Sequence, residues 1–369
     1  MNAPEPATLE TAAAPAELAL RFHGRAGEYF RIWVVNLFLT LATLGIFSAW
    51  AKVRKKRYFY SHTTLDGTPF QYLGQPIPIL KGRVVAAVLF VFYYFTSHFF
   101  TALLPYVLVA GALLAPWVVA GSAAFNARYS AFRNMTFAFE GGYREAFRAV
   151  TFSGLLVAAA VGLGYATHSN NPILAGAMFG IFGLIFPWWQ RRTKAFIVGN
   201  MNFGDHRGDF SAKGGQFFRI YFIAGLILSG IGMLTAMLGG MLTVAFKNPM
   251  LSMAAFLLPI YLGYILAFAY AQAKVGNLVW NSTRLGPLRF ESTLSGRGLA
   301  KLYVVNALAI IASAGLLIPW AVMRTLAYRI SCLQVLPEGD LREFEGATGG
   351  AVRATGAEVG EFFDLDLSL

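Results

Sequence analysis

Val35-Asn36-Leu37-Phe38-Leu39-Thr40-Leu41-Ala42-Thr43-Leu44-Gly45-Ile46-Phe47-Ser48-Ala49-Trp50-Ala51-Lys52-Val53-Arg54-Lys55-Lys56-Arg57-Tyr58 returns 270 positions later, with Val305, Asn306, Gly315, Trp320, Arg324 and Tyr328 in register. The match needs no gap, and self-similarity of this kind marks a fold built from repeated units. An offset of 67 aligns Trp50, Phe70 and Gly74 with Trp117, Phe137 and Gly141. Pro187-Trp188 with Arg192 and Phe196 makes a third copy, and Pro259 with Tyr261, leading to Asn281 and Phe290, a weaker one. Each unit reads as a helix, a [Pro/Ala]-Trp break, a helix end bearing Arg, and a short strand ending near Gly. The next unit opens with a motif such as Phe22-His23-Gly24 or Phe139-Glu140-Gly141. About five degenerate copies fit in the chain.

The units are membrane-sized. Hydrophobic residues make up 57% of the 369 residues and charged ones 13%, about half the charge of a soluble domain. That leaves too little polar surface to cover a water-soluble protein, so lipid must solvate the rest. Apolar stretches run over 29–50, 84–104, 106–127, 146–166, 172–189, 217–246, 250–273, 302–320 and 318–335. Most are near the roughly 20 residues a crossing helix needs. Pro105, Asn170-Asn171-Pro172 and Lys247-Asn248-Pro249 punctuate three tight hairpins. The longer links, His62–Gly74, Asn134–Gly141, Asn200–Gly214 and Asn281–Gly296, are β-like and basic. By the positive-inside rule this strand-bearing side is expected to be cytoplasmic. The predicted fold is an all-α polytopic membrane domain over 21–336, with about 8–10 transmembrane helices and strand segments forming a cytoplasmic-side sheet. It lies between a disordered tail at 1–20 and an acidic tail at 337–369.

Charge follows the same division. The ends carry −3 and −6 and the middle +21, giving +12 in all. The bases sit beside apolar spans, so they point to a membrane surface rather than to nucleic acid. The first unit sets a conflict. If Phe22–Glu28 lies on the same side as its copies, the chain must turn near Gly45–Ser48 and return, carrying Lys52, Arg54, Lys55, Lys56 and Arg57 with it. One charge at a bilayer centre costs at least roughly 2.5–3.5 kcal/mol, so five cannot face lipid. Either the returning arm lines an aqueous vestibule, giving about ten membrane helices, or 29–50 is one crossing and the total is eight. The same choice arises at 299–335. The repeat favours ten.

The run from Asn36 through Thr43-Leu44-Gly45-Ile46-Phe47-Ser48-Ala49-Trp50-Ala51-Lys52-Val53-Arg54, Arg57-Tyr58-Phe59 and His62-Thr63-Thr64-Leu65-Asp66-Gly67 resembles the YjgN-like family of bacterial inner-membrane proteins. The resemblance takes in Phe70-Gln71-Tyr72 and Lys81-Gly82-Arg83 and extends over roughly 20–336. That family often has Ser-Pro-Trp where this chain has Ser48-Ala49-Trp50; Pro116-Trp117 and Pro319-Trp320 restore the proline in other copies. The resemblance implies a multi-pass inner-membrane protein of unestablished activity and supplies no catalytic residues.

Two groups of residues are candidates for binding. Trp50, Arg54 and Tyr58 lie at i, i+4 and i+8 and share a helix face, a spacing echoed by Trp188 and Arg192 and by Trp320, Arg324 and Tyr328. Such an aromatic stripe can hold an anion beside its arginines; anchoring at the headgroup level accounts for the same spacing. The cluster Lys52, Arg54, Lys55, Lys56 and Arg57, joined by Arg192 and Arg324, can attract anionic phospholipid headgroups or an anionic solute, or simply set topology. Asn36 and Asn306 fit interhelical hydrogen bonding better than ligand binding. His62 to Asp66-Gly67 reads as a strand followed by a turn.

No cofactor, catalytic or metal constellation is expected. No Asp or Glu lies inside the apolar spans, and there is no Walker loop, Gly-x-Ser-x-Gly or His-Glu-x-x-His. That argues against an ATP-driven pump, a proton antiporter and a membrane hydrolase. Two functions remain: binding or passage of an anionic or amphiphilic solute or lipid through a basic vestibule, or a non-transporting scaffold whose strand platform and acidic tail recruit a protein partner.

Overall fold

A computed structural model describes residues 18–245 and 249–338. The N-terminal tail before Leu18, the hairpin tip at Lys247-Asn248 and the acidic tail beyond Glu338 lie outside the described residues. The chain runs β1 (Leu20–Phe22), α1 (Ala26–Ala42), α2 (Ser48–Ser61), β2 (Thr63–Leu65), β3 (Thr68–Pro69), β4 (Gln71–Tyr72), α3 (Pro76–Phe99), α4 (Leu104–Tyr129), β5 (Ser130–Phe132), β6 (Met135–Phe139), α5 (Tyr143–His168), α6 (Pro172–Gly199), β7 (Met201–Phe203), β8 (His206–Phe210), α7 (Gly214–Ala245), α8 (Pro249–Asn281), β9 (Thr283–Leu285), β10 (Leu288–Ser292), α9 (Gly296–Ala312), α10 (Ile318–Ser331) and β11 (Leu333–Pro337).

Helices come in pairs and strands gather at one end. β4 to β11 form one antiparallel sheet in chain order, and β1, β2 and β3 form another. Only Phe70 separates β3 from β4, and Leu18 bridges Val335 of β11, so the strand layer curls until its ends meet. Closing a sheet in this way removes its edges. One backbone hydrogen bond then ties the foot of each helix pair: His23 N–H donates to His62 O (2.8 Å), Leu73 to Tyr129 (2.8 Å), Glu140 to Asn200 (3.0 Å), Ser211 to Ser282 (2.9 Å) and Thr293 to Cys332 (2.9 Å). Both ends of all five pairs therefore stand on the strand layer. The spans read as 29–50 and 302–320 are not single helices. The chain turns at 43–47 and 313–317, because Gly45 and Gly315 take φ of +92° and +91°, a left-handed conformation that favours glycine.

Among the described residues, five helices are long and apolar enough to cross a membrane: Pro76–Phe99, Thr101–Tyr129, Pro172–Gly199, Gly214–Met241 and Met253–Asn281. α1, α2, α9 and α10, with 17, 14, 17 and 14 residues, are shorter than that test requires. The predicted break at [Pro/Ala]-Trp is corrected as well. Pro116 and Pro187 lie inside unbroken helices α4 and α6. Packed neighbours make such prolines tolerable in membrane helices. Pro116, Pro187 and Pro319 are fully buried, and so is Ala49 in the matching place. A small or ring-closed side chain is needed where helices press together.

The aromatic-x-Gly motif has a local cause too. At Gly141 a Cβ atom would lie 2.6 Å from the Phe139 ring and 2.8 Å from the Phe196 ring, whereas at Gly142 it would meet nothing. Gly141→Ala is expected to cost about 1–3 kcal/mol by overpacking, and Gly142→Ala far less. Denaturation midpoints of the two variants in detergent check the difference. The turn at Asp66-Gly67, with φ of +50° and +75°, joins β2 to β3 as its sequence suggests.

Candidate binding cavity

The helix ring and the strand layer enclose a cavity of about 1940 Å³. Its lower end is walled by side chains from the strands, among them Leu65, Phe132, Phe137, Phe203, Leu285 and Phe290. Phe203 and Leu285 are buried there with Phe132, Phe137, Leu288 and Phe290 packed on them. This apolar cluster lines the floor.

Above the floor comes a belt of bases. Lys52, Lys55 and Lys56 of α2, Arg83 of α3, Lys194 of α6 and Arg329 of α10 all line the cavity. At 1.5 Å per helical residue, counted from the helix ends on the strand layer, they stand roughly 3–14 Å up. Asp66, Arg133 and Arg284 line the strand end, and Asp66 is the one acid in the described lining. Several bases are held by neighbours. Lys56 Nζ donates to Asn126 Oδ1 (2.9 Å) and lies 5.1 Å from the Tyr72 ring centre. Arg329 donates to Tyr303 Oη (3.1 Å) and Gln272 Oε1 (3.4 Å), tying α10 to α9 and α8. Arg83 donates to Ser48 Oγ.

The upper part is largely apolar, with Thr40 in its wall and Asn36 and Asn306 just below it. Leu37 and Thr40 of α1, Phe186 of α6, Phe268 of α8, Ile310 of α9 and Ile318 of α10 line it, roughly 17–21 Å above the strand layer by the same count. The space is thus basic below and largely apolar above.

The structure divides the sequence candidates. Lys52, Lys55 and Lys56 face the cavity together. Arg54, Arg57, Arg192 and Arg324 are not among its lining residues. Arg54 donates to Asn36 Oδ1 (3.3 Å) and lies over the Phe47 ring; Arg57 donates to Gly74 O (3.2 Å); Arg192 donates to Arg148 O (3.3 Å); Arg324 lies 5.1 Å from the Trp320 ring centre. Nor do Trp50, Tyr58, Trp188, Trp320 and Tyr328 line the cavity. Trp50 packs beside Ala49, Val53 and Phe125, and Trp188 closes over Gly214. Tyr58 Oη accepts the Arg25 N–H (2.9 Å), and Tyr328 Oη accepts the Ser295 N–H (3.4 Å). The two tyrosines hold the starts of α1 and α9. Asn306 donates to Ala321 O (3.2 Å) and Thr325 Oγ1 (3.0 Å), joining α9 to α10.

Sequence reading missed Arg83, Lys194 and Arg329. For Lys194 the signal lay in the offset from a Pro/Ala-Trp tryptophan; Arg83 and Arg329 lie outside that offset. Residues two, five and six beyond the tryptophan line the cavity in three units: Lys52, Lys55 and Lys56; Gln190, Thr193 and Lys194; Val322, Thr325 and Leu326. Those offsets share one helix face.

A family profile described as "Bacterial protein of unknown function (DUF898)" matches residues 17–362. The chain belongs to the DUF898 family. Curated relatives of this DUF898 chain include two bacterial proteins named "Inner membrane protein YjgN". That of Escherichia coli K12 is 29% identical over 205 residues, 50% of each chain. That of Salmonella typhimurium LT2 is 25% identical over 374 residues, 88% of this chain and 90% of its own. The chain thus spans about half the length of the Escherichia coli relatives it matches and most of the Salmonella one. No solved structure matches it. The resemblance read from the motif is borne out, and this DUF898 chain is a membrane protein with transmembrane helices.

Proposed function

We propose that this DUF898 protein sits in a bacterial inner membrane with its strand layer on the cytoplasmic side, and that its cavity binds an anionic amphiphile. The observation that carries the reading is the belt of Lys52, Lys55, Lys56, Lys194 and Arg329 beneath an apolar upper chamber. Each base near the surface is worth about 1 kcal/mol to an anionic headgroup, and buried alkyl chain adds about 0.8 kcal/mol per CH₂. The names of the relatives support the membrane assignment. The bases in the strand links support the sidedness. Five helix pairs standing on one strand layer suit five copies of one unit.

Protein in neutral phosphatidylcholine nanodiscs is titrated with a dansyl fatty acid and with its methyl ester. Lys52, Lys55, Lys56 and Lys194 all changed to Gln should weaken binding of the acid by tenfold or more, a loss of about 1.4 kcal/mol or above. Ester binding should stay unchanged, and so should acid binding by an Arg192→Gln, Arg324→Gln control. Equal loss for acid and ester, or no saturable binding at all, sinks the reading.

A scaffold role rests on a weaker observation. Glu338, where the acidic tail begins, pairs with Arg284 (3.8 Å) and Arg289 (3.6 Å) on β9 and β10. Exposed pairs of this kind are worth about 0–1 kcal/mol. If the tail serves a separate protein partner, a chain ending at Pro337 binds the fatty acid as tightly as the full one.

A further inference from the structure

We propose that the cavity opens sideways to the bilayer, over the tips of the α1–α2 and α9–α10 hairpins, and admits acyl chains from the leaflet away from the strand layer. The inference deepens the amphiphile reading and rests on it for the identity of the ligand.

The tips are made to sit in hydrocarbon. Leu44 is 96% exposed and Ile311 76%, with Leu41, Ile46, Leu316 and Leu317 exposed around them. Every backbone N–H through the first turn is satisfied from within it. Thr43, Leu44, Gly45, Ile46 and Ser48 donate to the carbonyls of Leu39, Leu41, Thr40, Thr43 and Gly45, and Phe47 donates to Thr43 Oγ1. The second turn repeats the set 270 positions on: Ser313, Ala314, Gly315, Leu316 and Ile318 donate to Ala309, Ile311, Ile310, Ser313 and Gly315, and Leu317 donates to Ser313 Oγ. Left-handed glycine caps of this kind are common in water as well; what suits these two turns to hydrocarbon is the exposed leucine and isoleucine around them together with the absence of an unmet amide in the set. In lipid each unmet group is costly, so an irregular segment at membrane depth must satisfy its own backbone.

The two hairpins also make a low wall. They stand side by side, with Tyr29 of α1, Tyr58 of α2 and Met323 of α10 in one buried cluster. α1 and α9 rise only about 25 Å from the strand layer, against about 40–50 Å for α4, α6, α7 and α8. The highest cavity residues on this side, Thr40, Ile310 and Ile318, lie within one helical turn of the tips. The lining of the chamber ends there, and above the tips neither short hairpin stands between the taller helices and lipid. An amphiphile entering there keeps its chain in the apolar upper part while its head descends to the lysine belt. At the other end Phe132, Phe137 and Phe203 pack together and narrow the way in from the strand layer.

The test uses the full chain with Cys332→Ser, carrying a single bimane-labelled cysteine at Leu44→Cys or Ile310→Cys, in phosphatidylcholine brominated near the chain end. Emission at both positions should fall, with the loss at 310 matching that at 44. Quenching at 44 but not at 310 means the chamber is closed to lipid and overturns the portal. Failure of quenching at 44, with labelling there by an impermeant maleimide from the side opposite Gly24→Cys, means the tip reaches water and overturns it as well. The lysine-belt titration is a separate readout: if it fails while 310 is still quenched, the anion reading falls and the portal stands.

Discussion

Thr43→Val and Ser313→Ala, in the turns that close the first and last hairpins, are together expected to lower the stability of the protein strongly. Thr43 Oγ1 donates to Leu39 O (2.7 Å) and accepts the Phe47 N–H (2.9 Å); Ser313 Oγ donates to Ala309 O (2.7 Å) and accepts the Leu317 N–H (3.0 Å). Valine has the shape of threonine, so packing is preserved and only the hydrogen bonds go. Each variant turn then holds an amide with no acceptor. In a protein interior that costs about 1–3 kcal/mol, and in hydrocarbon several. A turn in water would lose well under that, because solvent would take over the amide. Unfolding of the double variant in bicelles by a denaturing detergent should therefore shift by about 2–6 kcal/mol relative to wild type. Thr43→Ser with Ser313→Thr, which keeps both hydroxyls, should restore most of it. A shift under about 1 kcal/mol would place both tips in water and remove the basis for a lateral opening.

Much of this architecture was legible in the sequence because its causes are local. Glycine at 45 and 315 marks the left-handed turns, proline marks the hairpin tips, and the strand links carry turn residues such as Asp66-Gly67. The sequence pattern favours ten helices over eight; ten helices stand in five pairs among the described residues, with similar backbone hydrogen bonds at their feet, and five of the helices are long and apolar enough to cross a membrane. The site was harder to see, for a physical reason. Comparison of similar stretches draws attention to positions that match, here the arginine four beyond Trp50, Trp188 and Trp320 and the tyrosine eight beyond Trp50 and Trp320. Those residues match because each unit needs them to hold itself together: Tyr58 and Tyr328 secure helix starts, and Arg54 reaches Asn36. The cavity face is two, five and six beyond the tryptophan, where the copies differ. Lys55 has Thr193 and Thr325 as its counterparts, and Lys56 has Lys194 and Leu326. A chamber lined by several helix pairs is basic on one side only through such differences, and the sequence of one pair does not reveal which side its neighbours present.

The buried place before each tryptophan makes the second large effect. Ala49 has no exposed surface and is packed with Val53, Tyr72, Ile79 and Phe125. Its counterparts Pro116, Pro187 and Pro319 are equally buried. Ala49→Phe must push a ring into that contact between α2, α3 and α4, and overpacking of a close-packed site costs about 1–3 kcal/mol or more. Its effect should spread to the cavity, since Lys52 lies one turn further along α2 and Arg83 of α3 reaches Ser48 beside it. The variant is expected to lose several degrees of thermal stability in detergent and to bind the dansyl fatty acid more weakly. Ala49→Pro should do neither. Position 49 is the second residue of α2, proline is well suited to the first turn of a helix, and Pro319 already occupies the matching position of α10. If Ala49→Pro proves as damaging as Ala49→Phe, the first and last hairpins are not built alike, and the common role assigned to their tips fails with it.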